Sequence, residues 1–279
     1  MEKFTDTQLQ RLSELNANVE NMERTFEDIV KRDKEFKSLE LSLSKINREK
    51  IKEFLDEKHL PLVNKIEKAL TKWLTEEIGF SQVNTPLILP KAMLDKMTIT
   101  DDHALSNQVF WLDAKKCLRP MLAPNLYVMM RDLHKVTKSP VKIFEVGPCF
   151  RKETQGARHM NEFTMLNLVE LDSCKDGDQM KRLKELAIGA MEAIGFNDYQ
   201  LEMTNSEVYG ETMDIVSGDL ELASCAFGPH TLDANWGVFD TWVGIGFGIE
   251  RIALAMGGYQ NIKRVGRSLS YLDGARLNV

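Results

Sequence analysis

Cysteine is scarce and scattered in this chain. Cys117, Cys149, Cys174 and Cys225 form no C-x-x-C pair. Their spacing argues against a disulfide framework or a thiolate zinc site and suits a reducing cytoplasm. Long apolar runs are missing too. None approaches the roughly twenty residues a membrane helix needs, so no membrane partner is expected. The opening Met1-Glu2-Lys3-Phe4-Thr5-Asp6 has no apolar signal region, and nothing points to export. Positive charge is not in excess: the net charge of −6 argues against a protein that coats nucleic acid, while leaving room for a local basic patch. The dinucleotide signature G-x-G-x-x-G fails as well. After Gly244-x-Gly246 it would need glycine at 249, where the chain has Ile249, and the strand-first βαβ context is absent. No internal repeat or low-complexity tract is visible.

What is present fits one large domain with an appendage: 279 residues, 43% hydrophobic and 28% charged. Thr5-x-x-Gln8 has the form of a capping box. Leu9, Leu12, Leu15, Val19, Met22, Phe26, Ile29 and Val30 follow at helical spacing. Residues 31–60 are densely charged and read as more helix, with a break near Leu41 to Ser44. We therefore divide the chain into a helical appendage (1–60) and a body (61–279). The body opens on a helix that starts at Pro61 and ends at Gly79. Phe80 to Pro90 follows, where Pro86 inside a strand-like run marks an edge or interface strand. Helix and edge strand together form a plausible dimerisation element. Leu118 to Asn125 is a turn-rich entry to a helix carrying Leu126, Tyr127, Met129, Met130 and Leu133. Val141 to Val146 reads as a strand, and Asp176 and Asp178 open a further helix.

Three stretches carry chemistry. Arg151 and Glu153 sit two apart on a strand-like segment, so they share a face. A guanidinium fork suits a phosphate, and a neighbouring carboxylate accepts from an exocyclic amine. The polar loop after them brings Arg158 and His159, placed to close over phosphates, before Glu162 to Asn167 resumes strand composition. Alone, this pair also reads as an exposed ion pair of little energetic worth. Next, Asp214 to Val216, Ser217-Gly218-Asp219 and Leu220 to Phe227 read as a hairpin. Glu221 and Ser224 there offer hard oxygen ligands for magnesium on a nucleotide. They are three apart, so a regular strand would oppose them, and a shared ion requires a bulge. An ordinary polar strand face is the alternative. Last, the glycines of Trp242-Val243-Gly244-Ile245-Gly246-Phe247-Gly248 leave one strand face bare for a flat ligand. Arg251, in the first turn of the next helix, could reach a terminal phosphate. Lys263, Arg264, Arg267 and Arg276 make the most plausible basic patch, with a solvated tail as the alternative.

These elements, in this order, resemble the three motifs of the class II aminoacyl-tRNA synthetases: Gly79-Phe80 through Pro86, Phe150-Arg151-x-Glu153 with Glu162-Phe163, and Gly244-x-Gly246-x-Gly248-x-x-Arg251. Four further segments are similar to the branch of that family that charges pyrrolysine: Arg119 to Pro124, Lys142 to Gly147, Glu162 to Asn167, and Ser270 to Gly274. The resemblance is strong from about residue 60 onward and looser before. It implies an α+β class II catalytic fold, an antiparallel sheet flanked by helices, working as a homodimer through Leu62 to Pro90. It leaves no room for the separate N-terminal tRNA-binding domain of some members. It implies ATP and Mg2+: Arg151 at the α-phosphate, Glu153 at the adenine amine, Phe163 and Gly246 in the nucleotide site, His159 and Arg251 near the outer phosphates, and Glu221 and Ser224 on the metal. The partners implied are pyrrolysine and its cognate amber-suppressor tRNA.

Residue types then suggest the amino-acid pocket. Ala123, Leu126, Tyr127, Met130, Val169, Phe227 and Trp242 would line a large, mostly apolar cavity. Asn167 offers an amide for a side-chain carbonyl, and Tyr209 would cap the pocket. A lysine-specific site would place a carboxylate at its end, and none is evident among these positions. Phe227 departs from the pattern, which favours a smaller aliphatic. A class II enzyme for another large apolar amino acid, such as phenylalanine, and a non-catalytic tRNA-binding paralogue are the alternatives.

Overall fold

The computed structural model describes all residues except Glu57, residues 153–155 and Glu207. At the N-terminus, β1 (Glu2–Lys3) pairs with β2 (Thr25–Phe26) around α1 (Asp6–Glu14) and the short α2 (Val19–Met22). The capping box forms: Thr5 and Gln8 each accept from the other's backbone N–H. The run from Leu9 to Val30 is not one helix, because Asn16 turns the chain at φ 67°. Ile29 and Val30 instead open α3 (Ile29–Asp56). This helix passes unbroken through the expected break at Leu41 to Ser44. The segment holds no glycine or proline, and a serine costs a helix only about 0.5 kcal/mol. Its inner face explains the continuity. Leu39 and Leu43 pack on Phe4, Leu12 and Ala17, and one turn on, Asn47 Nδ2 donates to the carbonyls of Leu43 and Leu15.

Pro61 caps α4 (Leu62–Lys72), which buries Ile66 and Leu70. A π-helical turn, Trp73–Glu77, extends it to Gly79, whose φ of 73° ends the helix where a side chain would be strained. The proline-containing run splits in two. β3 (Ser81–Gln82) joins the edge of the main sheet, and β4 (Ile88–Pro90) belongs to a separate ribbon. Next come α5 (Lys91–Lys96), α6 (Ala104–Gln108), β5 (Lys116–Leu118), which pairs with β4, and α7 (Ala123–Thr137). The body continues with β6 (Val141–Phe150), β7 (Glu162–Leu171), α8 (Gln179–Ala193), β8 (Gln200–Ser206), β9 (Gly210–Ser217), β10 (Leu220–Gly228), β11 (Trp242–Gly248) and α9 (Ile249–Met256). A last ribbon, β12 (Tyr271–Leu272) with β13 (Ala275–Arg276), closes it.

The main sheet has seven strands in the order β3-β6-β7-β11-β10-β9-β8. Every pairing is antiparallel except the short edge pair β3–β6, which is parallel. The sheet is a septum because its strands alternate. On β11, Val243, Ile245 and Phe247 pack with Leu70 of α4, Leu74 of the π-helical turn, Leu183 of α8 and Ile252 of α9. Gly244, Gly246 and Gly248 point the other way, where α7 and the 3-10 turn Thr231–Trp236 cover one end and leave a cleft. A buried ion pair that the sequence did not announce locks the cleft's margin. Arg119 Nη1 lies 2.7 Å from Glu145 Oε1, and Arg119 Nε donates to the Pro148 carbonyl. Among the described residues no helix is long and apolar enough to cross a membrane.

Candidate active site

The bare glycine face floors a cleft of about 350 Å³. One end gathers Arg151, Arg158, His159, Phe163, Glu221, Ser224, Gly246, Gly248 and Arg251; the other gathers Ala123, Leu126, Tyr127, Met130, Asn167, Val169, Tyr209 and Trp242. Strand register sets this division. Gly248 pairs with Met165 at the charged end, and Trp242 pairs with Leu171 at the apolar end. Glu153 lies outside the described residues. Phe227 is turned away. Ser224 and Ala226 face the cleft, so Phe227 falls on the opposite side and packs with the helices' core. Ala226 occupies the pocket position that Phe227 was expected to fill.

The bulge that Glu221 and Ser224 required is present. Glu221 pairs with Val216 and Ala223 with Ile215, so Leu222 is an extra residue on β10. Both oxygens therefore open on the same cleft. Glu221 Oε1 meets Arg251 Nη1 at 3.0 Å. Arg151 extends the ladder beyond Phe150, its N–H donating to the Asn161 carbonyl. Its Nε donates to the Pro120 carbonyl at 2.9 Å, and its guanidinium lies 5.5 Å from the Phe163 ring centre. Arg158 is held to the β9–β10 turn, Nη2 to Asp219 Oδ1 at 2.7 Å.

Two acids that sequence reasoning passed over also belong here. Glu250 is buried beneath the cleft and takes the Thr164 N–H on both oxygens; burial holds its carboxyl above the ordinary range. Its place in the first turn of α9 was the available signal. Asp214 lies across the ladder from Ser224. Burial raises its carboxyl too, and its Oδ1 is buried without a partner. Among the described residues, no three His, Cys, Asp or Glu side chains converge as for a resident metal. The hard oxygens of Glu221 and Ser224, with Asp214 behind them, fit an ion that arrives with a polyphosphate.

At the apolar end a carboxylate does stand behind the wall. Asp233 accepts from the Tyr127 hydroxyl and the Trp242 indole, each at 2.7 Å. Burial pushes the Tyr127 and Tyr209 hydroxyls well above their usual range. Asn167 Nδ2 donates to the Leu168 carbonyl at 3.2 Å. The expected basic patch is reduced. Arg264 is buried on the carbonyls of Ser13, Glu14 and Gly274, and Arg276 pairs with Glu14. Lys263 and Arg267 remain exposed.

A glycine-faced antiparallel strand leading into an arginine-bearing helix, beside a hairpin arginine, defines the catalytic core of a class II aminoacyl-tRNA synthetase. The family model for the tRNA synthetases class II core domain (F) matches residues 45–273, and the chain belongs to that family. A pyrrolysyl-tRNA synthetase crystal structure from Desulfitobacterium hafniense aligns over 100% of both chains at 48% identity, with a TM-score of 0.93. The chain is thus a member of the pyrrolysyl-tRNA synthetase branch. A threonine--tRNA ligase of Finegoldia magna is 33% identical over 35% of this chain and 16% of its own length. An O-phosphoserine--tRNA(Cys) ligase of Methanocorpusculum labreanum is 21% identical over 54% of this chain and 30% of its own. The chain spans less than a third of either ligase, and what it shares with them is the class II core.

Proposed function

We propose that this protein activates pyrrolysine, a long Nε-acylated lysine, with ATP and transfers it to the 3′ end of the cognate amber-suppressor tRNA, acting as a cytoplasmic homodimer. One observation carries the reading. A single cleft joins a cationic end, with Arg151 and Arg251 over bare glycines, to an apolar end whose amide is Asn167. The amino-acid carboxylate attacks the α-phosphate of ATP and pyrophosphate leaves; the tRNA hydroxyl then displaces AMP. Such chemistry asks for positioning and charge stabilisation more than for acid or base. Arg151 is already oriented by Pro120 and Phe163, and it takes the α-phosphate. Arg251 must exchange Glu221 for the outer phosphates, beside His159. Phe163 and Gly246 sandwich the adenine, whose amine falls to Glu153. Glu221 and Ser224 would hold Mg2+, which supplies charge neutralisation to the phosphates. Asn167 takes the acyl carbonyl, and Tyr209 covers it. Lys263 and Arg267, with the N-terminal helices of residues 1–60, are the surface assigned to tRNA.

Arg151→Ala is expected to lower amino-acid-dependent ATP–pyrophosphate exchange by about 10²–10³-fold with the melting temperature nearly unchanged. Near-normal exchange in that variant would sink the role. The dimer reading is supported by Leu87 and Ile88, 41% and 49% exposed beside Pro86. Light scattering should give twice the chain mass for the wild type and the chain mass for Ile88→Asp; a monomeric wild type at micromolar concentration contradicts it.

A further inference from the structure

The apolar end of the cleft is walled by the rings of Tyr127 and Trp242, set edge to face with centroids 5.7 Å apart. Each ring carries one polar hydrogen, and both are directed to the same carboxylate outside the cleft. Tyr127 donates to Asp233 Oδ1, Trp242 Nε1 donates to Oδ2, and the His230 N–H donates to Oδ2 at 2.6 Å. Asp233 is 1% exposed and is not part of the cleft lining. Packing around it leaves no slack. A Cβ on Gly228 would stand 1.9 Å from Trp242 Nε1 and 2.5 Å from Asp233 Oδ2. A buried carboxylate is costly unless bonded, and three donors make this one tolerable.

We propose that Asp233 is a positioning residue for the substrate side chain: it ties the polar ends of Tyr127 and Trp242 behind the wall, fixing both rings so that they present carbon to the cleft. The inference rests on the assignment of this end of the cleft to the amino-acid side chain. It explains how a pocket with a carboxylate behind its wall suits an acylated lysine. Asp233 stands behind the two rings and outside the cleft, so an ammonium in the cleft faces ring carbon instead of a carboxylate, while an uncharged acyl chain meets a preorganised apolar slot. Tyr209 continues the arrangement, its ring meeting that of Trp242 edge to face with centroids 5.8 Å apart.

Asp233→Asn keeps the shape but replaces one acceptor by an NH2 that faces a donor. In ATP–pyrophosphate exchange, the KM for an Nε-acylated lysine is expected to rise at least about tenfold while the KM for ATP stays within about twofold. Tyr127→Phe removes one donor and keeps the ring. In the double variant the added effect of Asp233→Asn should shrink to under about a third, the signature of groups that act through one another. If Asp233→Asn does not fold, Tyr127→Phe decides alone, with an expected rise of at least about threefold in the acyl-lysine KM only. An acyl-lysine KM unchanged by these substitutions, an equal rise in both KM values, or fully independent effects would overturn the inference. Wild-type exchange with acylated lysine, measured alongside, separates this from the functional reading: its absence overturns the reading, and its presence with unmoved variants overturns Asp233 alone.

Discussion

Gly246 stands at the junction of the two ends of the cleft, paired with Ser224 on one side and Asn167 on the other. A Cβ there would sit 3.2 Å from Met165 Cε and 3.3 Å from Asn167 Oδ1. Its backbone is ordinary strand, so Gly246→Ala should fold normally, yet fill the floor on which nucleotide and acyl group meet. The expected outcome is a melting temperature within a few degrees of wild type and a fall of about tenfold or more in kcat/KM for exchange. Unchanged kcat/KM would show that the bare face is not used. At this scale the sequence was informative where a residue type admits few roles. The alternating glycines and Arg251 were legible, as was the demand that Glu221 and Ser224 share a bulge. Phe227 was misplaced because that same bulge decides which residues face the cleft. Counting by twos from Ser224 puts Ala226 in the pocket and Phe227 in the core. Asp233 was not legible, because its meaning depends on Tyr127 and Trp242, which only the fold brings to it.

Elements were read well where caps and punctuation are local and poorly where tertiary contacts decide. Pro61 and Gly79 bounded a helix correctly, and Thr5 and Gln8 formed their box. The continuous α3 was missed because its inner face is recognised only against Leu12 and Leu15 of a neighbouring segment. Ion pairs between elements were invisible for the same reason. Glu170 on β7 is fully buried and binds Arg182 of α8 with both oxygens, 2.9 and 2.6 Å, with Ser173 beside them. Burial alone would raise its pKa; the hydrogen bonds from Arg182 and Ser173 outweigh it, and the carboxyl is held below its ordinary value. A depressed native pKa gives stability that is present above the unfolded value of about 4.3 and lost as pH falls through the native one. Glu170→Gln should cost about 2–3 kcal/mol at neutral pH, since Arg182 retains some solvent, and should flatten the acid limb of the stability curve below about pH 4.5. Urea titrations from pH 7 to pH 3 check this. Parallel curves for the two proteins would mean that the pair does not report on acid stability.

For the whole molecule, composition excluded more than it identified, and the order of three separated motifs carried the assignment to the class II synthetases. The seven-stranded septum, with α4, α8 and α9 on one face and α7 over part of the other, follows that assignment, including the parallel edge pair that an all-antiparallel expectation passes over. The surface was harder to read, because charge in sequence does not tell exposed cations from structural ones. Arg264 sits on three backbone carbonyls while its neighbour Lys263 faces water. The central claim concerns what fills the apolar end of the cleft. It is tested most directly by ATP–pyrophosphate exchange with the wild-type protein, comparing pyrrolysine and Nε-acylated lysines with phenylalanine and free lysine. Exchange with the acylated lysines, and neither of the others, is the predicted result. Exchange with phenylalanine or free lysine in their place would contradict it.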